Sequence, residues 1–404
     1  MRGTGGVFGV GGVLRFLLFA LILAFAVIVV SATVMRPVVS GAIVGWAAGN
    51  PAALRLPFVA DLVREDVGDA MTAPASNDRT QVEFGVAPGD TATSIGQRLA
   101  DEHLLGDPRA FVLIAVERGL EGQLEAGSFL LRRNMTPDQL VTSLLVARDV
   151  SISITLRESL RIEQIASKLQ TLPITMDVQQ FYDLATDPPA SLLADYPWLD
   201  LPEGASLEGF LAADTYRVLP DTSADEFIRI LLDRFRAVVG DTRMSVPEAR
   251  GMTFYQVLSL ASIVEREVVV NEERPLIAGV YQNRLTKKML LQADPTVFYG
   301  HDTLELAKLP FDQWPQYLFW APFGEKLADV AFPKELAGYQ TYRTKGLIPG
   351  PICTPTVASI DAALDPDTAT GYLYFVAKGD GSDTHAFAKT LKEHQANLKK
   401  YGYL

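Results

Sequence analysis

One amphipathic segment near the middle of the chain constrains the fold most. Apolar residues recur at three- and four-residue spacing, which predicts a helix over residues 253–268 with one buried stripe. Glu265 lies on that stripe, and Glu267 is turned about 200° away from it by helix geometry. A carboxyl group held against an apolar wall keeps its proton to higher pH and can act as a general acid. Glu265 is therefore a candidate acid, and ion pairing with Arg266 or a neighbouring helix is the structural alternative.

Composition limits the classes of protein to which the chain can belong. Its 404 residues allow two or three domains with a substantial core. With 48 acidic and 36 basic residues and a net charge of -12, the chain lacks the basic balance of a nucleic-acid binder. The single cysteine excludes an internal disulfide, and the four histidines are too far apart for a local zinc motif. We therefore expect no metal and no cofactor, and a metal held by ligands distant in the sequence is the alternative.

The N-terminal region contains a long apolar run. Residues 16–35 carry no charge, and twenty such residues are enough to cross the hydrocarbon core as a helix. The run is too long for a signal peptide and lacks a clear cleavage site, which favours an uncleaved anchor. The sequence thus predicts a short tail over 1–15, a transmembrane helix over 16–35, and a juxtamembrane segment with a linker over 36–80. Residues 37–60 are expected to lie on the membrane surface or to pack loosely, and 66–80 to form the linker.

The rest of the chain shows short strands alternating with helices, which indicates an α+β fold. A strand over 81–86, helices over 94–102 and 109–118, and a strand over 128–131 are expected in a small lobe that extends to residue 150. A weak repeat follows, with a strand at 152–156 and a helix at 162–169. Such strand–turn–helix units resemble LysM-like carbohydrate-binding modules, and a purely structural lobe is the alternative. Residues 151–404 are expected to form a second, mixed α+β domain.

Three further stretches contain residues suited to a site. The segment 292–296 (QADPT) reads as a loop of polar side chains after an apolar run. The segment 339–342 (YQTY) offers aromatic faces and hydroxyl groups, which sugar-binding clefts use. The segment 346–355 (GLIPGPICTP) is rich in turns and could form a cleft wall. Each stretch also has a structural reading, as a turn, a core aromatic residue or a connector.

Taken in order, these motifs resemble the endolytic murein transglycosylases, also called the MltG-like or YceG-like family. The resemblance covers about residues 80–404 and is specific as an ordered set. The motifs that carry it are LEGFL (207–211) with DTY (214–216), LASIVERE (260–267), ERPLIAGV (273–280), NRL (283–285), LQADPTV (291–297), YQTY (339–342), GLIPGPICTP (346–355) and YLYFVA (372–377). The chain departs from the family pattern at Ala293, Gln340, Ile348, Thr354 and Thr356, and it carries an insertion rich in Trp, Phe and Pro at about 310–336.

The resemblance implies a membrane-anchored enzyme that cuts within peptidoglycan glycan strands. It implies an inner-membrane protein with a LysM-like lobe and a catalytic lobe outside the cytoplasm, with peptidoglycan synthases as partners. It assigns the role of catalytic acid and base to Glu265. The candidate substrate-binding residues are Gln292, Asp294, Thr296, Tyr342 and Glu208. Glu267 is expected to support the structure by pairing with Arg274 or Arg284.

The implied reaction is lytic. The acid protonates the oxygen that leaves C1 of N-acetylmuramic acid and then accepts the proton of that sugar's C6 hydroxyl group, so that a 1,6-anhydro ring closes. Two other readings stay open. One is a hydrolase in which Glu208 or Asp294 serves as a second carboxylate that activates water. The other is a non-catalytic protein that binds the wall and organises synthesis enzymes.

Overall fold

The structure is a computed structural model that describes residues 10–30, 33, 36–145, 151–247 and 251–404. Within these ranges, α-helices are combined with three two-stranded antiparallel sheets, so the predicted α+β class is confirmed. The chain divides into two compact units, Met1–Asp149 and Val150–Leu404. Each unit has its own apolar core.

The N-terminal part of the first unit is helical. Its elements are α1 (Val10–Val30), α2 (Arg36–Gly49), a 3₁₀ helix (Pro51–Arg55), α3 (Pro57–Val67) and a second 3₁₀ helix (Gly68–Met71). Among the helices in the described ranges, none has both the length and the apolar character needed to cross a bilayer. The predicted transmembrane helix over 16–35 is therefore not supported. Helix α1 ends at Val30, and positions 31–32 and 34–35 lie outside the described residues.

The small lobe of the first unit contains two strands and three helices. They are β1 (Gln81–Val86), α4 (Ala92–Asp101), α5 (Pro108–Glu117), β2 (Gly127–Arg132) and α6 (Pro137–Ser143). Strands β1 and β2 pair antiparallel, with Phe84 opposite Phe129. The predicted strands and helices of this lobe are thus present, with ends shifted by a few residues.

Residues 36–71 differ from the expectation of a loosely packed segment and linker. Val59, Ala60 and Val63 of α3 are buried in the same core as Ile95 and Leu99 of α4. Helix α3 presents its apolar residues on one face, and the lobe supplies the apolar surface that covers them. The segment is therefore part of a folded unit, and the helical structure continues through residue 71.

The second unit begins with a strand, a set of helices and a returning strand. These elements are β3 (Ile152–Leu156), α7 (Ile162–Leu169), α8 (Val178–Thr186), α9 (Ala190–Asp195), β4 (Asp214–Val218), α10 (Ala224–Val239) and α11 (Asp241–Ser245). Strands β3 and β4 pair antiparallel, with Ile154 opposite Tyr216. The DTY motif at 214–216 opens β4. The β-branched and aromatic residues that follow Asp214 suit a strand.

The remaining elements surround one central helix. They are α12 (Phe254–Glu267), α13 (Arg274–Thr286), α14 (Asp294–Leu306), α15 (Val357–Leu364), β5 (Tyr374–Ala377), β6 (His385–Ala388) and α16 (Leu391–Lys400). Helix α12 starts at a capping box formed by Thr253 and Gln256. All of its residues from Phe254 to Glu265 except Gln256 are buried, so the single buried stripe that the sequence predicts is wrong. Because α13, α14 and α15 pack around α12, both of its carboxylates lie within the fold.

Candidate active site

The second unit contains a cavity of about 510 Å³ that gathers three of the predicted site residues. Gln292, Asp294 and Tyr342 line it together. The glutamate of α12 on this wall is Glu267, and Glu265 is not among the lining residues. The structure thus brings Gln292, Asp294 and Tyr342 together with Glu267, the second glutamate of the 260–267 motif.

Glu267 is the last residue of α12, where the helix meets the cavity. Its Oε1 accepts a hydrogen bond from the Tyr281 hydroxyl group of α13 at 2.6 Å. Burial raises the pKa of Glu267 to about 7, and repulsion from Asp294 adds to the rise, whereas the Tyr281 hydrogen bond and Arg284 oppose it. Near neutral pH both protonation states are populated. The same group can therefore give a proton and later take one back.

Asp294 and Tyr342 form a second polar pair on the cavity wall. Asp294 is the first residue of α14, because the proline that follows it fits the first helical turn. The Tyr342 hydroxyl group donates to Asp294 Oδ1 at 2.5 Å. Burial and the hydrogen bond to Asp294 raise the pKa of Tyr342, so the phenol stays neutral and remains a donor. The loop predicted for 292–296 thus becomes a helix start.

Gln292 stands just before this helix in a strained backbone conformation. Its φ is 51°, in the left-handed region that costs a residue other than glycine roughly 1 kcal/mol or more. The Gln292 N–H donates to Thr341 O at 3.1 Å, and Arg284 Nη1 donates to Gln292 Oε1 at 3.3 Å. Arg284 also donates to Leu291 O at 2.6 Å. These bonds hold the Gln292 side chain at the cavity wall.

Thr296 and Glu208 do not reach the cavity. Thr296 is fully buried, where its hydroxyl group donates to Ala293 O at 2.8 Å and bonds the Thr341 hydroxyl group. Glu208 is 2% exposed and accepts from the Ile162 N–H at 3.1 Å. Both side chains are enclosed by other residues of the second unit. Thr296 supports the loop that carries Gln292, and Glu208 belongs to a separate buried cluster.

Glu265 faces a different part of the unit from Glu267. Its Oε2 accepts from the Thr356 N–H at 3.1 Å, the Thr356 hydroxyl at 2.7 Å and the Ser359 hydroxyl at 2.7 Å. Its Oε1 accepts from the Ser159 hydroxyl at 2.9 Å, and Arg274 Nη1 lies 3.6 Å from Oε2. The carboxylate therefore joins α12 to the start of α15 through polar contacts. This environment is not the apolar wall that the helical pattern predicts.

Two histidines that lie outside the sequence motifs line the same cavity. His385 lies at the start of β6, and its Nδ1 is 2.7 Å from Glu273 Oε2. His394 of α16 stacks on Tyr374, and burial together with the charge of Arg284 lowers its pKa. Because both histidines lie far from α12 in the sequence, the sequence alone does not show that they line the same cavity as Glu267. Among the described residues, no group of three or more His, Cys, Asp or Glu is arranged to hold a metal ion.

The site has the composition of an acid–base enzyme that acts on a polar substrate. It combines a carboxyl group that titrates near neutral pH with hydroxyl, amide and imidazole groups in one concave space. The YceG-like family matches residues 84–400, and the chain belongs to that family.

Relatives of known name support the same class. The chain is 30% identical over 349 residues to an endolytic murein transglycosylase of Bacillus subtilis, and the match covers 83% of this chain and 89% of that protein. It is 24% identical to an endolytic murein transglycosylase of Streptococcus pneumoniae, covering 82% of this chain and 60% of that longer protein. A crystal structure of a YceG-like protein from Listeria monocytogenes matches with a TM-score of 0.50 and 26% identity, covering 79% of this chain and 99% of that one.

Proposed function

We propose that the chain is an endolytic murein transglycosylase, which cuts the bond between N-acetylmuramic acid and N-acetylglucosamine within peptidoglycan strands. The observation that carries this proposal is Glu267, a carboxyl group with a pKa of about 7 on the wall of a cavity shared with Asp294 and Tyr342. Membership of the YceG-like family and the names of the curated relatives support the same reaction. No cofactor is needed for it.

The proposed mechanism uses one carboxyl group twice. Protonated Glu267 donates to the glycosidic oxygen as the bond from C1 of N-acetylmuramic acid breaks. The resulting carboxylate accepts the proton of the C6 hydroxyl group while O6 bonds to C1, which gives a 1,6-anhydro end. An attacking hydroxyl group on the same sugar has a high effective concentration, so no water has to be recruited. Gln292, Asp294 and Tyr342 would orient the sugars by hydrogen bonds.

The choice between the two glutamates of α12 rests on their surroundings. Glu267 lines the cavity, whereas the oxygens of Glu265 are occupied by Ser159, Thr356 and Ser359. We therefore propose Glu267 as the acid and base, and a positioning role for Glu265. The earlier assignment of Glu265 stays as the alternative, and matched glutamine variants separate the two.

A hydrolase is the second candidate, because Asp294 contributes another carboxylate to the same cavity. Purified glycan strands digested by the protein distinguish the reactions by mass spectrometry of the ends. The lytic proposal predicts 1,6-anhydromuramyl ends, which are lighter than reducing ends by one water. Reducing ends alone would support hydrolysis. An absence of cutting, with normal binding of glycan, would support a non-catalytic wall-binding protein.

We also propose that the small lobe of the first unit is a LysM-like module that binds glycan. Its strand–helix–helix–strand order and the antiparallel pairing of β1 with β2 support this proposal. Pull-down of the isolated lobe with insoluble peptidoglycan tests it, since recovery in the unbound fraction would contradict glycan binding. A lobe that serves only to support the fold is the alternative.

The cellular setting is proposed to be the outer side of the inner membrane. The apolar side chains of α1, such as Phe16 and Phe19, are exposed, and membrane association would cover them. Cleavage of nascent strands there would limit their length and bring the enzyme close to peptidoglycan synthases. Cell fractionation tests the first point, and cross-linking in cells tests the second.

A further inference from the structure

The insertion that separates the QADPT and YQTY segments forms a structured wall of a second groove. Its Trp320 indole Nε1 donates to Gln164 Oε1 of α7 at 3.0 Å, and the Trp320 N–H donates to Asp302 Oδ2 of α14 at 2.9 Å. The Tyr317 hydroxyl group donates to Asp302 Oδ1 at 2.8 Å. Arg266 of α12 lies over the Trp320 ring at 4.1 Å from its centroid. The insertion is therefore fixed to three helices.

Between this wall and α7 lies a groove of about 330 Å³, which we call the insertion groove. Its lining includes Arg157, Gln164 and Lys168 on one side and Tyr317 and Phe319 of the insertion on the other. The groove is distinct from the cavity at Glu267, because the two share no lining residue.

The charge of the groove is unusual for this chain. The protein has a net charge of -12, yet the residues that line the groove, all within the described ranges, include two cations and no carboxylate. Arg157 is exposed and Lys168 is half-buried, and neither is paired with another residue of the described part of the chain. Because Arg157 and Lys168 form no ion pair within the described part of the chain, both cations are available to bind an anionic ligand.

The other groups in the groove suit a ligand that is also a sugar. Tyr317 and Phe319 pack edge to face with ring centroids 4.9 Å apart, which makes an aromatic surface beside the two cations. The Gln164 amide oxygen is used by Trp320, so its NH₂ group is left as a donor. Thr155 adds a hydroxyl group at the same groove. Aromatic faces with nearby amide and hydroxyl groups bind pyranose rings, whose two faces are partly apolar.

We infer that the insertion groove binds the peptide-bearing muramyl sugar of a peptidoglycan strand, with stem-peptide carboxylates at Arg157 and Lys168 and a sugar ring at Phe319. This inference rests on the proposed function and adds that the enzyme recognises the stem peptides of its substrate strand. A strand held in this groove is recognised by the anionic stem as well as by the glycan. Strands that carry stems are then preferred over strands from which the stems have been removed.

Charge reversal of the two cations tests the inference. The R157E/K168E double variant is compared with K287E/K334E, which makes the same change of charge at exposed lysines outside both sites. The probe is a GlcNAc–MurNAc disaccharide tetrapeptide, which lacks the bond to be cut, and its peptide-free disaccharide is the reference. By calorimetry we expect R157E/K168E to lose at least about fivefold in affinity for the peptide-bearing probe, since attraction becomes repulsion. The control pair should bind it like the wild type.

Cleavage assays separate this inference from the proposed function. On peptide-free strands R157E/K168E should cut like the wild type, whereas on stem-bearing strands its KM should rise. Equal affinity of R157E/K168E and K287E/K334E for the peptide-bearing probe would overturn the inference, although anhydro ends would still support the transglycosylase. If the wild type yields no anhydro ends from either substrate, the proposed function fails instead. Inorganic phosphate that competes as strongly as the probe would indicate a general anion site and would also overturn the inference.

Discussion

Glu265 and Glu267 lie two residues apart in α12 but belong to different environments. Glu267 accepts a hydrogen bond from Tyr281 and opens on the cavity of Gln292, Asp294 and Tyr342. Glu265 binds the start of α15 through three donated hydrogen bonds to its Oε2. The helix thus presents one carboxyl group to the cavity and the other to the junction with α15, and the two are expected to respond differently to substitution.

The first prediction concerns Glu267→Gln. The amide keeps an oxygen that accepts from Tyr281, so the fold should be preserved, but it cannot donate and recover a proton as a carboxyl group does. A general acid–base group contributes about 10²- to 10⁴-fold to a rate. We therefore expect a loss of kcat of at least about 100-fold on purified strands, measured by release of anhydro ends.

Glu265→Gln is the matched comparison for this experiment. Its expected kcat at 25 °C lies within about tenfold of the wild type, because a positioning residue acts only indirectly. If Glu265→Gln abolishes cleavage in a folded protein while Glu267→Gln stays active, the roles proposed for the two glutamates are reversed. Circular dichroism of both variants verifies that the fold is intact.

The second prediction uses Tyr281→Phe. The Tyr281 hydrogen bond stabilises the charged form of Glu267 and so opposes the rise of its pKa to about 7. Its removal should raise that pKa further. Because the acid must be protonated in the free enzyme, the alkaline limb of the kcat/KM profile should move to higher pH. An unchanged limb would show that the titrating group is not Glu267.

The third prediction is a shift in the opposite direction for Asp294→Asn. The negative charge of Asp294 raises the pKa of Glu267, and asparagine removes that charge while keeping an oxygen that accepts from Tyr342. The pKa of Glu267 should fall, and the alkaline limb of kcat/KM should move to lower pH. A movement to higher pH in the same assay would contradict this electrostatic relation.

The local pattern of apolar and polar residues was sufficient to predict most of the helices and strands. The helix predicted over 253–268 is found as Phe254–Glu267, and the strand predicted over 152–156 is found with the same bounds. Helix caps and the spacing of apolar residues involve positions only a few residues apart, so they can be recognised directly in the sequence. The segment 292–296 is predicted as a loop, whereas Asp294 starts α14, because an Asp-Pro pair can begin a helix as well as form a turn.

The surroundings of the two glutamates of α12 could not be predicted in the same way. A single apolar stripe assigns one inner face to α12, but α13, α14 and α15 cover it from several sides. The polar partners of Glu265 come from Ser159 and from Thr356 and Ser359, far along the chain. Such contacts depend on tertiary packing, which the local sequence pattern does not show.

The fourth prediction concerns the junction at Glu265. In Glu265→Gln, one carboxylate oxygen is replaced by an NH₂ group that faces donors, so buried hydrogen bonds are lost. Breaking hydrogen bonds to a charged buried group costs about 2–3 kcal/mol. Urea denaturation should show a decrease of that size in the free energy of unfolding. Glu325→Gln on the exposed part of the insertion is the control, and an equal effect in both variants would contradict a junction role.

The fifth prediction concerns the pH dependence of stability and Glu208. Burial and repulsion from Glu163 raise its pKa from 4.5 to about 8 in the folded protein. When the folded-state pKa of an acid is raised, its contribution to stability is complete below the unfolded pKa and is lost as pH rises towards the folded value. The free energy of unfolding should therefore fall between about pH 5 and pH 8 by a contribution on the order of a few kcal/mol from this group.

Glu208→Gln removes that titration while keeping an oxygen for the Ile162 N–H. The decrease in stability between pH 5.5 and 8.5 should be smaller in this variant than in the wild type, as measured by urea denaturation. Glu267, whose pKa is also raised, titrates in both proteins and cancels in the difference. Parallel stability curves for the two proteins would mean that Glu208 is already ionised in the fold, with Arg161 as the cation that balances it.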